Sequence, residues 1–162
     1  MFYTAIMALD KALSDERLAD YTIEAYSAGS SDVPNVQLSN GTKIINKGKM
    51  PLDEYYAFAQ TIDVAISPML APHPNYPTLE FSGIGATVVT TKWQTKSNLD
   101  RYSKNIFMAE PTIDDMAENI IAAITKPAGD IKADAANNNL NTDWNSALDQ
   151  PIKAIADQLI RK

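Results

Sequence analysis

The chain has 162 residues, 45% of them hydrophobic, and its 14 basic and 20 acidic residues give a formal net charge of −6. A chain of this length is long enough for one domain with its own hydrophobic core, and two full domains are not expected. The excess of acidic residues argues against nucleic acid as the main partner. The absence of cysteine excludes disulfides and thiolate chemistry.

The first predicted element is a helix from Phe2 to Leu13, because apolar residues recur there at helical spacing. The same stretch is too short to span a membrane and lacks the basic start of a signal peptide. We therefore expect no transmembrane segment and a cytoplasmic protein, with peripheral attachment at the inner face of the membrane left open.

Strands and helices are then predicted to alternate along the chain. A strand from Tyr21 to Ala28 ends in a turn-rich loop, and a short strand follows at Lys43–Asn46. Pro51 opens a helix that carries acids in its first turn. The next predicted elements are a strand at Asp63–Pro68, a helix from Pro77 to about Gly83, and strands at Ala86–Thr91 and Asn105–Met108.

The last part of the chain is predicted to be helical on either side of a polar segment. Thr112 caps an amphipathic helix, with Asp115 as its capping-box partner. The polar run at 127–143 predicts a loop or linker, and 144–162 predicts a helix interrupted by Pro151.

This alternation predicts an α/β fold, Rossmann-like, with a mostly parallel sheet covered by helices on both faces. Residues 1–126 form this domain, and the C-terminal helical extension packs on it or on an absent N-terminal domain. A doubly wound sheet normally opens with a strand, whereas this chain opens with a helix. The first strand and its phosphate-binding turn are therefore expected to be missing.

Two groups of lysines follow strands at their carboxyl ends, where ligands bind in open α/β sheets. Lys47-Gly48-Lys49 precedes a helix N-terminus, which together with a lysine can hold an anion. The alternative is a solvated turn whose lysines bind nothing. Lys92 and Lys96 emerge at the same edge, where they either face a diphosphate or are plain surface lysines beside Trp93.

The loop from Pro72 to Pro77 contains three prolines, which stiffen it by fixing φ. With Pro77 as the first helical residue, Glu80 falls in the first turn, close to the ring of Tyr76. A carboxylate there can accept hydrogen bonds from two ribose hydroxyls, while the ring stacks on a base or lines the sugar pocket. The alternative is that Glu80 only complements the helix dipole and Tyr76 packs as an edge residue.

His73, the chain's one histidine, lies in the same loop. Its ring can act as a general base, donate to a phosphate or play no role beyond the loop. Donation is the better functional interpretation, because no carboxylate nearby in sequence orients the ring. With no cysteine and no second histidine, we expect no transition-metal site.

Several segments together resemble a known family. They are similar to the C-terminal, donor-binding domain of two-domain GT-B glycosyltransferases, which is one half of that fold. The greatest similarity is to rhamnosyltransferases of bacterial surface-glycan synthesis that use a dTDP-sugar. The likeness spans residues 2–126, and the segments that carry it are Lys47–Tyr55, Pro72–Glu80, Gly83–Thr90 and Asn98–Met108.

The resemblance implies roles for four residues. In such enzymes the glutamate at the Glu80 position holds the ribose hydroxyls, the tyrosine matching Tyr76 lines the nucleotide site, and the lysine matching Lys49 meets the diphosphate. His73 is expected to donate to the sugar or the phosphate. The chain departs from the family in two ways: Pro72 stands where many retaining members carry a second acid, and the family's opening strand with its arginine-bearing turn is absent.

The expected function is therefore that of the donor half of a glycosyltransferase, with no catalytic residue assigned. It would transfer a hexose or deoxyhexose, rhamnose first among them, from a dTDP- or UDP-linked donor to a bacterial glycan, without a further cofactor. Because the acceptor would bind an absent N-terminal domain, we expect this chain alone to transfer nothing. The alternative is a non-catalytic nucleotide-binding or interaction module that pairs with a separate acceptor subunit.

Overall fold

A computed structural model describes residues 1–140 and 143–160. In this part of the chain, no helix is both long and apolar enough to cross a bilayer. A 3-10 turn at Glu16–Leu18 follows the first helix. In chain order, the helices and strands are α1 (Phe2–Leu13), β1 (Ala25–Ser27), β2 (Val36–Gln37), β3 (Lys43–Asn46), α2 (Leu52–Ala59), β4 (Val64–Ile66), α3 (Tyr76–Gly83), β5 (Thr87–Thr91), β6 (Ile106–Ala109), α4 (Ile113–Thr125), α5 (Ala128–Ala136) and α6 (Trp144–Ile160).

The strands form two separate three-stranded sheets. In the first sheet the order is β1-β3-β2, with β1 parallel and β2 antiparallel to β3. In the second sheet β4, β5 and β6 are all parallel. Helices α3 and α4 both pack on β5. The predicted α/β, Rossmann-like class is confirmed.

The core lies where α1 packs against α4. Ala8 and Ala12 of α1 are fully buried, as are Met116 and Ile120 of α4. Small residues on α1 let the two helices approach closely, and the apolar stripe of α4 fills the space between them. This interface continues onto Val89 of β5, which is also fully buried.

Of the two hydrogen bonds predicted for the capping box of α4, one is present and the other is not. The hydroxyl of Thr112 accepts a hydrogen bond from the N–H of Asp115 at 3.3 Å. The carboxylate of Asp115 does not return to Thr112 and accepts instead from the N–H of Glu110 at 2.6 Å. The reason is that the N–H of Thr112 already donates to the carbonyl of Glu110 at 2.7 Å.

Two predictions at the C-terminal end are wrong. The segment 127–143, predicted as a loop or linker, contains helix α5, which an ion pair between Lys126 and Asp134 at 2.7 Å fastens to the domain. Helix α6 continues through Pro151, so the predicted interruption at this residue does not occur. The apolar side chains along α6 are exposed, namely Leu148, Ile152, Ile155 and Leu159, and the side chain of Trp144 lies outside the described residues.

Candidate functional site

A cavity of about 1040 Å³ extends from the cleft between β1 and β4 to the loops at their carboxyl ends. Three residues predicted from separate segments of the sequence, Lys49, Tyr76 and Glu80, border it. They contribute an ammonium group, an aromatic ring that is 82% exposed, and a half-buried carboxylate. The cavity therefore combines the three kinds of group that a nucleoside diphosphate requires.

Glu80 is held in place by a tyrosine of the neighbouring helix. The hydroxyl of Tyr55 in α2 donates to Oε2 of Glu80 at 3.0 Å, and the Tyr55 ring packs edge-on against Phe81. Burial, followed by this hydrogen bond, raises the pKa of Tyr55 to about 12. Tyr55 therefore stays protonated as a donor near neutral pH, and no described residue forms a hydrogen bond with the second carboxylate oxygen of Glu80.

This coupling predicts a loss of stability at high pH. Because the pKa of Tyr55 lies above its usual value of 10.0, the folded state holds the phenol proton more tightly than the unfolded state. Its contribution is complete below pH ~10 and disappears as the pH rises through about 12. We expect urea titrations to show the free energy of unfolding falling over this interval, and falling less in Tyr55→Phe. An equal slope in both proteins would contradict the assignment.

Helix α3 begins at Tyr76, one residue earlier than predicted, so Glu80 lies in its second turn and not its first. The cap is Asn75, whose side chain accepts from the N–H of Thr78 at 3.0 Å and also contacts the Thr78 hydroxyl. The Asn75 amide donates to the hydroxyl of Ser67 at 2.9 Å. Asn75 thus ties the start of α3 to the loop that follows β4.

We expect Asn75→Ala to lower the free energy of unfolding by about 0.5–2 kcal/mol, because α3 loses its cap. The matched variant is Asn75→Asp, which keeps the accepting oxygen for Thr78 but cannot donate to Ser67. Urea unfolding of both should place Asn75→Asp between the wild type and Asn75→Ala. If Asn75→Ala is as stable as the wild type, the cap does not hold α3 in place.

The loop that carries Lys49 is shaped by two glycines and an asparagine. Gly29 and Gly48 have positive φ angles of 109° and 65°, and the N–H of Gly29 donates to the carbonyl of Gly48 at 2.8 Å. Asn46 accepts from the N–H of Gly48 and donates to the carbonyl of Val33, which joins the loops after β1 and β3. These hydrogen bonds hold the backbone that borders this end of the cavity in one conformation.

The two lysines of this loop differ in their surroundings. The ammonium group of Lys47 lies 4.8 Å from the ring centroid of Tyr26 and 5.9 Å from that of Phe58. Lys49 is exposed and has no ion-pair partner among the described residues. Of the two, Lys49 is the cation that remains available to an anion.

The other predicted site residues do not line this cavity. The Nδ1 atom of His73 is 2.9 Å from the carbonyl oxygen of Pro74, and its ring is exposed. Lys92 forms an ion pair with Glu110 at 3.0 Å. Lys96 is buried and donates to the carbonyl of Met69 at 2.8 Å, and burial lowers its pKa.

Sequence analysis did not identify Tyr55 or Asn46 as parts of the site. The pair of Tyr55 with Glu80 joins residues 25 positions apart on different helices, so no local spacing reveals it. Asn46 stands at the end of a predicted strand beside Gly48, a combination that does indicate a side chain bonding to a turn. Among the residues that the structure describes, no group of histidine, aspartate and glutamate is arranged to hold a metal ion.

Two comparisons place the chain among known proteins. A family profile described as "WsaF, C-terminal domain" matches residues 1–121. The chain is also 27% identical over 135 residues to a Myxococcus xanthus protein named O-antigen biosynthesis protein RfbC. That alignment covers 82% of this chain and 10% of the relative, so the chain spans about a tenth of the relative's length.

Proposed function

Because the chain belongs to the WsaF C-terminal domain family, we propose that it is the nucleotide-sugar-binding part of a glycosyltransferase in bacterial surface-glycan synthesis. The family match confirms the predicted resemblance to the C-terminal domain of a glycosyltransferase. The name of the Myxococcus relative supports a surface glycan as the product. As the donor we propose a dTDP- or UDP-linked hexose or deoxyhexose, with rhamnose as the first candidate.

The observation that carries this proposal is the position of Glu80 on the cavity that Lys49 and Tyr76 also border. Tyr55 occupies Oε2 of Glu80, which leaves Oε1 to accept from a ribose hydroxyl. The exposed ring of Tyr76 offers a face on which a base can stack. Lys49 would neutralise the negative charge that the diphosphate gains as the sugar departs.

The experiment that tests the proposal is a calorimetric titration of the chain with dTDP, UDP and GDP. We expect dTDP or UDP to bind, and we expect Lys49→Gln to weaken that binding while leaving the weaker binding of the nucleoside alone unchanged. The matched control is Lys92→Gln, because Lys92 lies outside the cavity. If none of the three nucleotides binds, the proposal fails for this chain.

A second candidate function is an interaction module that pairs with a separate acceptor subunit. The exposed apolar side chains of α6 favour it, since an apolar face of this kind marks a protein contact. The same titration separates the two candidates. A chain that pairs with a partner but binds no nucleotide would be an interaction module only.

A further inference from the structure

Lys96 carries a buried charge that the candidate site does not use. The residue is 3% exposed, and its ammonium group donates to the carbonyl of Met69 at 2.8 Å. No carboxylate among the described residues forms an ion pair with it. Lysine is rarely buried without a paired charge, because removing an ammonium group from water costs free energy that one neutral carbonyl does not return. The contact therefore calls for an explanation beyond the stability of the fold.

The carbonyl that Lys96 contacts belongs to the loop between β4 and α3. Ser67, at the start of this loop, and Tyr76, at its end, both line the cavity of about 1040 Å³. Between residues 68 and 74, Met69 is the one described residue whose backbone bonds to a group outside the loop. Met69 is therefore the point at which this loop, between its two ends, is attached to the rest of the domain.

Two side chains hold Met69, one from β5 and one from the turn that follows it. The hydroxyl of Thr91 accepts from the N–H of Met69 and donates to its carbonyl, each at 2.9 Å. The ammonium group of Lys96 is the second donor to the same carbonyl, so both lone pairs of this oxygen are used. Because Thr91 and Lys96 are both buried, water competes little for these bonds.

A tight turn places Lys96 beside this loop. The backbone groups of Trp93 and Lys96 bond to each other in both directions, at 3.0 and 2.9 Å. Gln94, inside the turn, has a φ of 48°, in the left-handed region that residues other than glycine seldom adopt. Conformations of this kind persist where the surrounding structure enforces them, and they are concentrated at functional sites. An unusual backbone and an unusual buried charge therefore occur together at one attachment point.

The two ends of the loop are fastened as well. The hydroxyl of Thr90 donates to the carbonyl of Ser67 at 2.8 Å, and the amide of Asn75 donates to the Ser67 hydroxyl at 2.9 Å. The loop is thus held at its start by Thr90, in between by Thr91 and Lys96, and at its end by Asn75. Of these four side chains, Lys96 alone carries a charge.

We propose that Lys96 is a positioning residue of the nucleotide site, whose buried ammonium group fixes the loop between β4 and α3 through the Met69 carbonyl and so sets the place of the Tyr76 ring. The inference rests on the proposed function, in which that ring stacks on the nucleotide base. Lys96 does not line the cavity, so it acts through the loop and not by contact with the diphosphate. A loop that is held in advance lowers the conformational entropy that nucleotide binding must otherwise remove.

Hydrogen exchange without nucleotide tests whether Lys96 holds the loop. Lys96→Met removes the donor but leaves the Met69 carbonyl its bond from Thr91. We expect the amide of Met69 to exchange about tenfold faster in this variant, while the amides of α4 exchange no faster than in the wild type. The matched control is Lys92→Met, which removes the same charge from a side chain that is 38% exposed and pairs with Glu110. Unchanged exchange at Met69 in Lys96→Met would overturn the inference.

Calorimetric titration with dTDP and UDP tests whether this attachment matters to the nucleotide. We expect Lys96→Met to weaken binding about tenfold, within the range that loss of a base-stacking contact produces. Urea unfolding of the same variant should show no loss of stability, because a buried charge is removed. A residue that only supported the fold would lose stability and affinity together, so a Lys96→Met chain that unfolds would also overturn the inference.

A double-mutant cycle with Tyr76→Ala tests the route through the ring. In that background we expect Lys96→Met to weaken binding less than about twofold, because the ring that Lys96 places is then absent. Fully additive effects would contradict a role through Tyr76. If the wild type binds neither nucleotide, the proposed function fails and the role of Lys96 fails with it. Wild-type binding with unchanged affinity in Lys96→Met would overturn the inference alone.

Variants of Thr91 provide a second measurement of the same attachment point. Thr91→Val keeps the shape of the side chain and removes both bonds to Met69, whereas Thr91→Ser keeps the hydroxyl. We expect Thr91→Val to speed exchange at Met69 and to weaken nucleotide binding, and Thr91→Ser to do neither. Equal behaviour of the two variants would mean that the attachment at Met69 does not position the site.

Discussion

Met116→Ala is expected to lower the free energy of unfolding by about 2–5 kcal/mol. Met116 is fully buried where α4 packs against α1 and β5, and it is among the largest side chains that the structure buries completely. Truncation removes its apolar contacts and leaves a cavity that the surrounding helices fill only in part. Urea unfolding monitored by circular dichroism measures the change.

The matched control is Met7→Ala, which makes the same substitution on α1 at a side chain that is 55% exposed. We expect it to change stability by less than about 0.5 kcal/mol, because little area leaves or enters water. If the two variants are equally destabilised, the interface of α1 with α4 is not the core of this domain.

Sequence patterns predicted the elements of this core well because the determinants are local. The apolar spacing from Phe2 to Leu13 and the stripe that follows Thr112 each define one helix, and α1 and α4 occur there. Helix α5 was missed because Gly129 and the run of asparagines at 137–139 are typical of a loop. Two contacts attach α5 to the domain: Asp134 forms an ion pair with Lys126, and the Asn105 amide donates to the carbonyl of Ile131. No local sequence pattern reveals these contacts.

In the candidate site, too, local features could be predicted from the sequence and tertiary contacts could not. The loop before α3 and the helix after it could be predicted from the prolines, although Glu80 lies in the second turn of α3 and not in the first as predicted. The cavity that also brings Lys49 to Glu80 depends on how the two sheets lie beside each other. That β1 and β4, the outer strands of two separate sheets, line one cavity could be seen only in the tertiary structure.

Glu80→Gln is expected to weaken dTDP or UDP binding about 10- to 100-fold, or ~1.4–2.8 kcal/mol, which is close to the ~1.5–3 kcal/mol of hydrogen bonds to a charged group. Glutamine keeps the shape and can still accept from Tyr55, but it loses the negative charge that strengthens hydrogen bonds from ribose hydroxyls. Glu54→Gln is the matched control, because Glu54 is exposed in the first turn of α2 and the net charge changes equally.

Tyr55→Phe shows whether Glu80 acts in a fixed orientation. Loss of the hydroxyl leaves the carboxylate charged but free to rotate, so we expect a smaller effect, of about 3- to 10-fold on nucleotide affinity. Since the two residues form one unit, the double variant Tyr55→Phe with Glu80→Gln should bind nearly as well as Glu80→Gln alone. Fully additive effects would mean that Tyr55 contacts the nucleotide independently. Equal affinities for Glu80→Gln and Glu54→Gln would remove Glu80 from the site, because net charge would then account for the whole change.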